Sequence, residues 1–162
     1  MKFLSTKEFF YKLNTIGFIL LLAPLGAFIF LYLTSVSREP VFSDPLIINW
    51  VAVAVAAIFA TDLTIVHWYL KMRLQTCRKR AELASRLDGW FPIQVVRMAT
   101  YCGGGLLAAV GYYLTGSLWF TLIFFVIELA GILQWPTQAT FCKEFELQGM
   151  EREMVMYGRD VR

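Results

Sequence analysis

Charge, histidine and recognisable motifs are all scarce in this chain, and each scarcity removes a class of function. Charged side chains make up 17% of the 162 residues, where a soluble domain carries about a quarter, which excludes disorder and most soluble enzymes. The single histidine, His67, excludes bis-histidine haem ligation within one chain and a histidine-rich metal site. Cys77, Cys102 and Cys142 show no C-x-x-C spacing, so a metal centre is not expected, and with Cys77 and Cys142 on the reducing cytoplasmic side and Cys102 in the bilayer neither is a disulfide framework. No G-x-S-x-G, H-E-x-x-H or Walker sequence occurs, and Ser117 has no histidine at readable spacing. The chain is therefore expected to have no catalytic residues, no cofactor and no metal. A net charge of +3, with the basic residues abutting apolar runs, makes nucleic acid a poor partner.

What the chain has in abundance is apolar surface, with 58% hydrophobic and 16% aromatic side chains and a mean hydropathy of +0.58. Leu13 to Ser37 contains no charge, enough to cross the roughly 30 Å hydrocarbon core that about 20 helical residues span. A second run, 47–70, is interrupted only by Asp62 and His67, and Met98 to Ile127 is again free of charge. Gly116 and Ser117 divide that last run into a tight hairpin. The expected fold is all-α, a single membrane domain (1–162) forming a four-helix bundle. Its spans are 15–35, 47–70, 93–114 and 118–136, with a cytoplasmic loop at 71–92, of which 71–90 is expected to continue helically from the second span near the headgroups, and a cytoplasmic tail at 137–162. Trp50, Trp68, Trp90, Trp119 and Trp135 all fall near span ends, where the indole ring suits the headgroup level.

Basic residues set the orientation. Lys2, Lys7 and Lys12 precede the first span, Lys71, Arg73, Arg78, Lys79, Arg80 and Arg86 lie between the second and third, and Lys143, Arg152, Arg159 and Arg162 follow the fourth. Only Arg38 lies on the other side, and Arg97 is inside a span. This places both termini and the central loop in the cytoplasm. The first apolar run exceeds the usual signal-peptide core of roughly 7 to 15 residues and contains Pro24, so an uncleaved first span is expected.

The two halves are similar. Tyr32-Leu33-Thr34-Ser35 matches Tyr113-Leu114-Thr115-Gly116 at the close of the first and third spans, and a shorter shift brings Asp62 onto Glu128. Either a duplicated helical hairpin or chance in apolar sequence gives such a match. Gly103, Gly104 and Gly105 in the third span, and Ala52, Ala56 and Ala60 in the second, provide strips of small residues for close helix packing.

Asp62 and Glu128 each lie eight residues inside a cytoplasmic span end, roughly 12 Å deep at 1.5 Å per residue, and Arg97 and His67 enter the same leaflet. A central carboxylate costs roughly 2.5 to 3.5 kcal/mol on the insertion scale, so it should face protein, a countercharge or water. A cluster of Asp62, Arg97, Glu128 and His67 satisfies that expectation, either as a structural ion pair or as an ion or proton path. Lys71, Arg73, Arg78, Lys79, Arg80 and Arg86 either attract anionic lipid headgroups or act only as a topology signal. Phe3, Phe9 and Phe10 among three lysines suit a short interfacial helix. Phe141, Phe145, Met150 and Met154 give the tail an intermittent apolar face, either packed or frayed, with Gly149 as a break.

Arg97-Met98-Ala99, Tyr113-Leu114-Thr115-Gly116 and Trp135-Pro136-Thr137 ahead of a charged tail resemble small four-span membrane proteins of unknown function common in Bacteroidota. The resemblance implies a bacterial inner-membrane location and brings no activity. Two functional expectations stand side by side. One is a non-catalytic accessory or assembly subunit of a membrane complex, and the other is an oligomeric ion- or proton-conducting transporter or channel using Asp62, Arg97 and Glu128. Membrane lipids, anionic at the cytoplasmic face, and a homo- or hetero-oligomer are the expected partners.

Overall fold

The computed structural model describes residues 5–35 and 38–157. Lys2, Phe3, Arg159 and Arg162, assigned above to the flanks of the spans, lie outside the described residues. Among the described residues the chain is all-α, with no strand and with six helices: α1 (Thr6–Ser35), α2 (Pro45–Arg78), α3 (Leu83–Thr115), α4 (Leu118–Leu133), α5 (Gln138–Glu144) and α6 (Gly149–Met156). Three of these, α1, α2 and α3, are long and apolar enough to cross a membrane, and a fourth span results if α4 and α5, separated by a bend, count as one. Three to four such helices are consistent with a multi-pass membrane protein.

Local sequence explains where the helices begin and end. Ser5 and Glu8 have the spacing of a capping box, and the Glu8 N–H donates to Ser5 Oγ at 3.3 Å. One turn further on, Lys12 pairs with Glu8 at 2.6 Å. α3 ends where Gly116 takes a left-handed φ of 63°, a conformation that glycine adopts without steric cost. Ser117 then caps α4, its Oγ accepting from the Trp119 N–H. Pro136 breaks the helix, and Thr137 caps α5 by accepting from the Thr140 N–H at 3.1 Å. Gly149, with φ 56°, opens α6.

Helices α1, α2 and α3 run beyond the apolar stretches on which the spans were drawn. The segment 71–92 is helical except at 79–82, since α2 continues to Arg78 and α3 begins at Leu83. Lys, Arg, Gln and Leu propagate a helix well, and the backbone ladder does not stop where hydrocarbon stops.

Two compact units make up the chain. The first comprises residues 1–18, 67–97 and 135–162. Its core is aromatic, with Phe9, Trp90 and Phe141 completely buried. The Trp90 ring meets Phe141 at 5.1 Å, Phe10 at 6.0 Å and Phe9 at 6.2 Å between centroids. Phe9 and Phe10 are therefore core residues and not headgroup anchors, which corrects the interfacial reading of the N-terminal segment. Trp90 is likewise removed from the tryptophan belt, whereas Trp50, Trp68 and Trp119 stay exposed. The tail packs through Phe141, Phe145, Leu147 and Val155, while Met150 is exposed.

The second unit comprises residues 19–66 and 98–134. Phe28, Tyr112, Phe120, Phe124 and Ile127 close around Ala52, Ala108 and Ala109, and Phe28 stacks on Phe124 at 4.3 Å. Small residues on α3 admit these rings. A Cβ on Gly104 would overlap Phe59, and one on Gly111 would overlap Phe120. Gly103, by contrast, faces open space, and Ala56 and Ala60 are exposed. The packing strip is thus Gly104, Gly105, Ala108, Ala109, Gly111 and, on α2, Ala52.

Gly111→Leu should destabilise the detergent-solubilised chain by about 1–3 kcal/mol, because the Phe120 ring already fills the site. Gly103→Leu should cost less than about 1 kcal/mol, as expected of a substitution into open space. Denaturant unfolding followed by tryptophan fluorescence distinguishes the two.

Candidate functional site

Trp90, Gln94 and Arg97 follow one another at steps of four and three residues, which lines them up along one face of α3. All three reach Glu144, the last residue of α5. Trp90 Nε1 donates to Glu144 Oε2 at 2.5 Å, Gln94 Nε2 donates to the same oxygen at 3.4 Å, and Arg97 Nη1 donates to Oε1 at 3.1 Å. Arg97 Nη1 also donates to Gln94 Oε1 at 3.3 Å. Trp90 and Gln94 are fully buried, and the side chains of Arg97 and Glu144 are each 19% exposed. A half-shielded carboxylate met by three donors, one of them cationic, is a structural clamp in which each partner satisfies the others.

Arg97 therefore forms its ion pair with Glu144 in the first unit, while Asp62 and Glu128 belong to the second. Arg97 takes this partner because it extends the row that Trp90 and Gln94 already point at α5. His67 is brought together with Arg97, since both line one cavity. Gln94 and Glu144 are not singled out by the sequence, and Trp90 only as a span-end residue, although the spacing of Trp90, Gln94 and Arg97 on α3 is a usable signal.

Glu128 on α4 is half-buried and has no hydrogen-bond or ion-pair partner among the described residues. Its carboxylate lies against the bare backbone of α3, with Oε1 2.7 Å from the point a Gly105 Cβ would occupy and Pro24 Cβ 2.9 Å from the same point. Cys102, one turn before Gly105, is within electrostatic reach of Glu128. Asp62 sits at the middle of α2, exposed and likewise without a hydrogen-bond or ion-pair partner among the described residues.

The basic residues assigned to lipid headgroups divide into two groups. Arg78 pairs with Glu146 at 3.1 Å and Arg86 with Glu151 at 3.3 Å, and Arg80 donates to the Ser85 carbonyl at 2.7 Å. Arg73 Nε donates to the Tyr69 hydroxyl at 3.0 Å, with its guanidinium over that ring. Lys71 and Lys79 have no ion-pair or hydrogen-bond partner among the described residues. Cys77 and Cys142 are buried, and burial pushes the Cys142 thiol up, away from the reactive thiolate. Among the described residues no group of His, Cys, Asp and Glu is arranged to hold a metal ion.

No family model matches the chain, and no curated protein or solved structure matches it either. The site must be interpreted from its own chemistry.

Glu144→Ala should cost about 2–4 kcal/mol, because it leaves the Arg97 charge and the Trp90 N–H without their acceptor. Limited proteolysis should then cut the tail at 138–157 earlier than in the parent chain. Glu146→Ala, which breaks an exposed pair, should change stability by less than about 1 kcal/mol and leave the tail protected.

Proposed function

We propose that this chain is a non-catalytic accessory or assembly subunit of a membrane complex, and that the exposed face of α2 around Asp62 receives a helix of another subunit. The observation that carries this reading is Asp62 itself. It stands at the centre of an apolar helix, in an exposed row with Ile58 and Ile65. Only 6% of the most apolar stretch of α2 is covered by the chain, against 44% for α3. An aspartate exposed at that depth is stable only opposite a donor or a cation, because lipid supplies neither. A partner helix bearing a basic or amide side chain fits the need. The charged groups around Arg97 support the same reading, since they are engaged in holding the tail. In this proposal the helices form a four-span bundle, built as two related hairpins, in a bacterial inner membrane. The thirteen basic residues flanking the spans support cytoplasmic termini.

The competing reading, an oligomeric ion- or proton-conducting protein, is favoured by the unpaired Glu128 between Gly105 and Pro24. Carboxylates held inside a span without a countercharge are characteristic of ion pathways.

Purified from its native cells in mild detergent, the tagged chain should carry stoichiometric foreign membrane chains, identified by mass spectrometry. Asp62→Lys should release them and Glu128→Gln should retain them. A pure homo-oligomer unaffected by Asp62→Lys defeats the subunit reading. Ion flux in reconstituted vesicles that disappears with Glu128→Gln establishes the competing one.

A further inference from the structure

His67, Lys71, Gln75 and Arg78 recur along α2 at steps of four, four and three residues, so the four side chains share one side of the helix. With Arg97 of α3 and Glu144 of α5 they line a cavity of about 290 Å3. Lys71, Arg78 and Arg97 bring three fixed positive charges to this lining, against two carboxylates, Glu144 on Arg97 and Glu146 on Arg78, each at 3.1 Å. Lys71 and His67 have no hydrogen-bond or ion-pair partner among the described residues. Both bonds that Arg97 makes use the same terminal nitrogen, which leaves the other donors of its guanidinium for a ligand. The cavity thus keeps one unpaired ammonium, that of Lys71, beside guanidinium donors of Arg78 and Arg97 that their carboxylates leave unused.

Its depth is marked by the neighbouring residues. Trp68 is 65% exposed and Tyr69 is 43% exposed at the level where the apolar run of α2 gives way to Lys71 and Arg73. Exposed tryptophan and tyrosine at such a transition concentrate at the headgroup layer. The anionic group present at that depth is the lipid phosphate, and basic pockets between membrane helices are suited to anionic headgroups.

We propose that the cavity lined by His67, Lys71, Gln75, Arg78 and Arg97 binds the phosphate group of an anionic phospholipid. Arg78 and Arg97 supply forked donors that match a phosphate, and Lys71 supplies a point charge. The Gln75 amide and the His67 imidazole are placed to take the hydroxyls of a glycerol headgroup. The volume stands at the small end of ligand cavities, about 300–1,000 Å3, and so suits a headgroup whose acyl chains remain in the bilayer. The proposal differs from diffuse attraction to a charged surface in requiring these residues and no others. It rests on α2 lying in the membrane and is independent of whether the chain is a subunit or a transporter.

The test uses the full chain, delipidated in neutral detergent and titrated with dihexanoyl phosphatidylglycerol, dihexanoyl phosphatidylcholine or inorganic phosphate, with bound ligand counted by native mass spectrometry. Phosphatidylglycerol should bind more tightly than phosphatidylcholine. Lys71→Gln should weaken it about fivefold and the double variant Lys71→Gln/Arg78→Gln about thirtyfold, at roughly 1 kcal/mol per basic residue. Arg73→Gln, on the same helix but outside the cavity, should leave binding unchanged. Lys71 is exposed, so its substitution keeps the fold, and the comparison of lipids on the parent chain needs no variant. Equal binding of the two lipids, or an Arg73→Gln loss equal to that of Lys71→Gln, overturns the proposal. Inorganic phosphate binding as tightly as phosphatidylglycerol overturns the lipid as the source of the phosphate.

Discussion

Glu144 holds the first unit together, and most of what surrounds it can be understood as accommodation to that one carboxylate. A charge placed among aromatic rings is costly unless its lone pairs are taken, and Trp90, Gln94 and Arg97 take them from a single helix face. Trp90 must turn inward to do so, which brings its ring against Phe9, Phe10 and Phe141. The start of α1, the start of α3 and the short helix α5 are thereby joined. Arg97 gains a countercharge near the membrane boundary, where an unpaired guanidinium would have to reach for water.

The second unit obeys a different constraint. Water-driven burial cannot assemble helices that are already in lipid, so close contact has to come from shape. The bare backbone at Gly104 and Gly111 gives Phe59 and Phe120 their seats, and Phe28, Phe124 and Tyr112 fill the rest with ring contacts. The same smoothness at Gly105 lets a carboxylate approach α3 more closely than any side chain would permit, so the packing device and the unpaired Glu128 share one surface.

The four apolar helices and the turn at Gly116-Ser117 were legible in the sequence because charge-free runs and that dipeptide report on hydrocarbon thickness and backbone geometry, both local properties. The faces of those helices were not. In water, apolar residues mark the inward side, but a membrane helix is apolar toward protein and lipid alike. Ala52 and Ala56, four residues apart, could therefore not be distinguished as buried and exposed. Arg97 was identified as unusual, yet its partner lies 47 residues along the chain in a segment read only as packed or frayed. The clue lay in Trp90, assigned to the membrane boundary by its position although its spacing to Gln94 and Arg97 indicated a shared inner face.

The first unit is discontinuous, drawing on the beginning, the middle and the end of the chain. During synthesis this order has a cost in time. Phe9 and Phe10 emerge early and Trp90 far later, and the ring that covers them, Phe141, and the carboxylate that anchors Trp90 follow later still. Until then the growing protein presents an uncovered aromatic surface beside a lone guanidinium. The aromatic core of the first unit can therefore close only after Phe141 and Glu144 have been made, and a product that stops short of Phe141 lacks the ring and the carboxylate that cover Trp90.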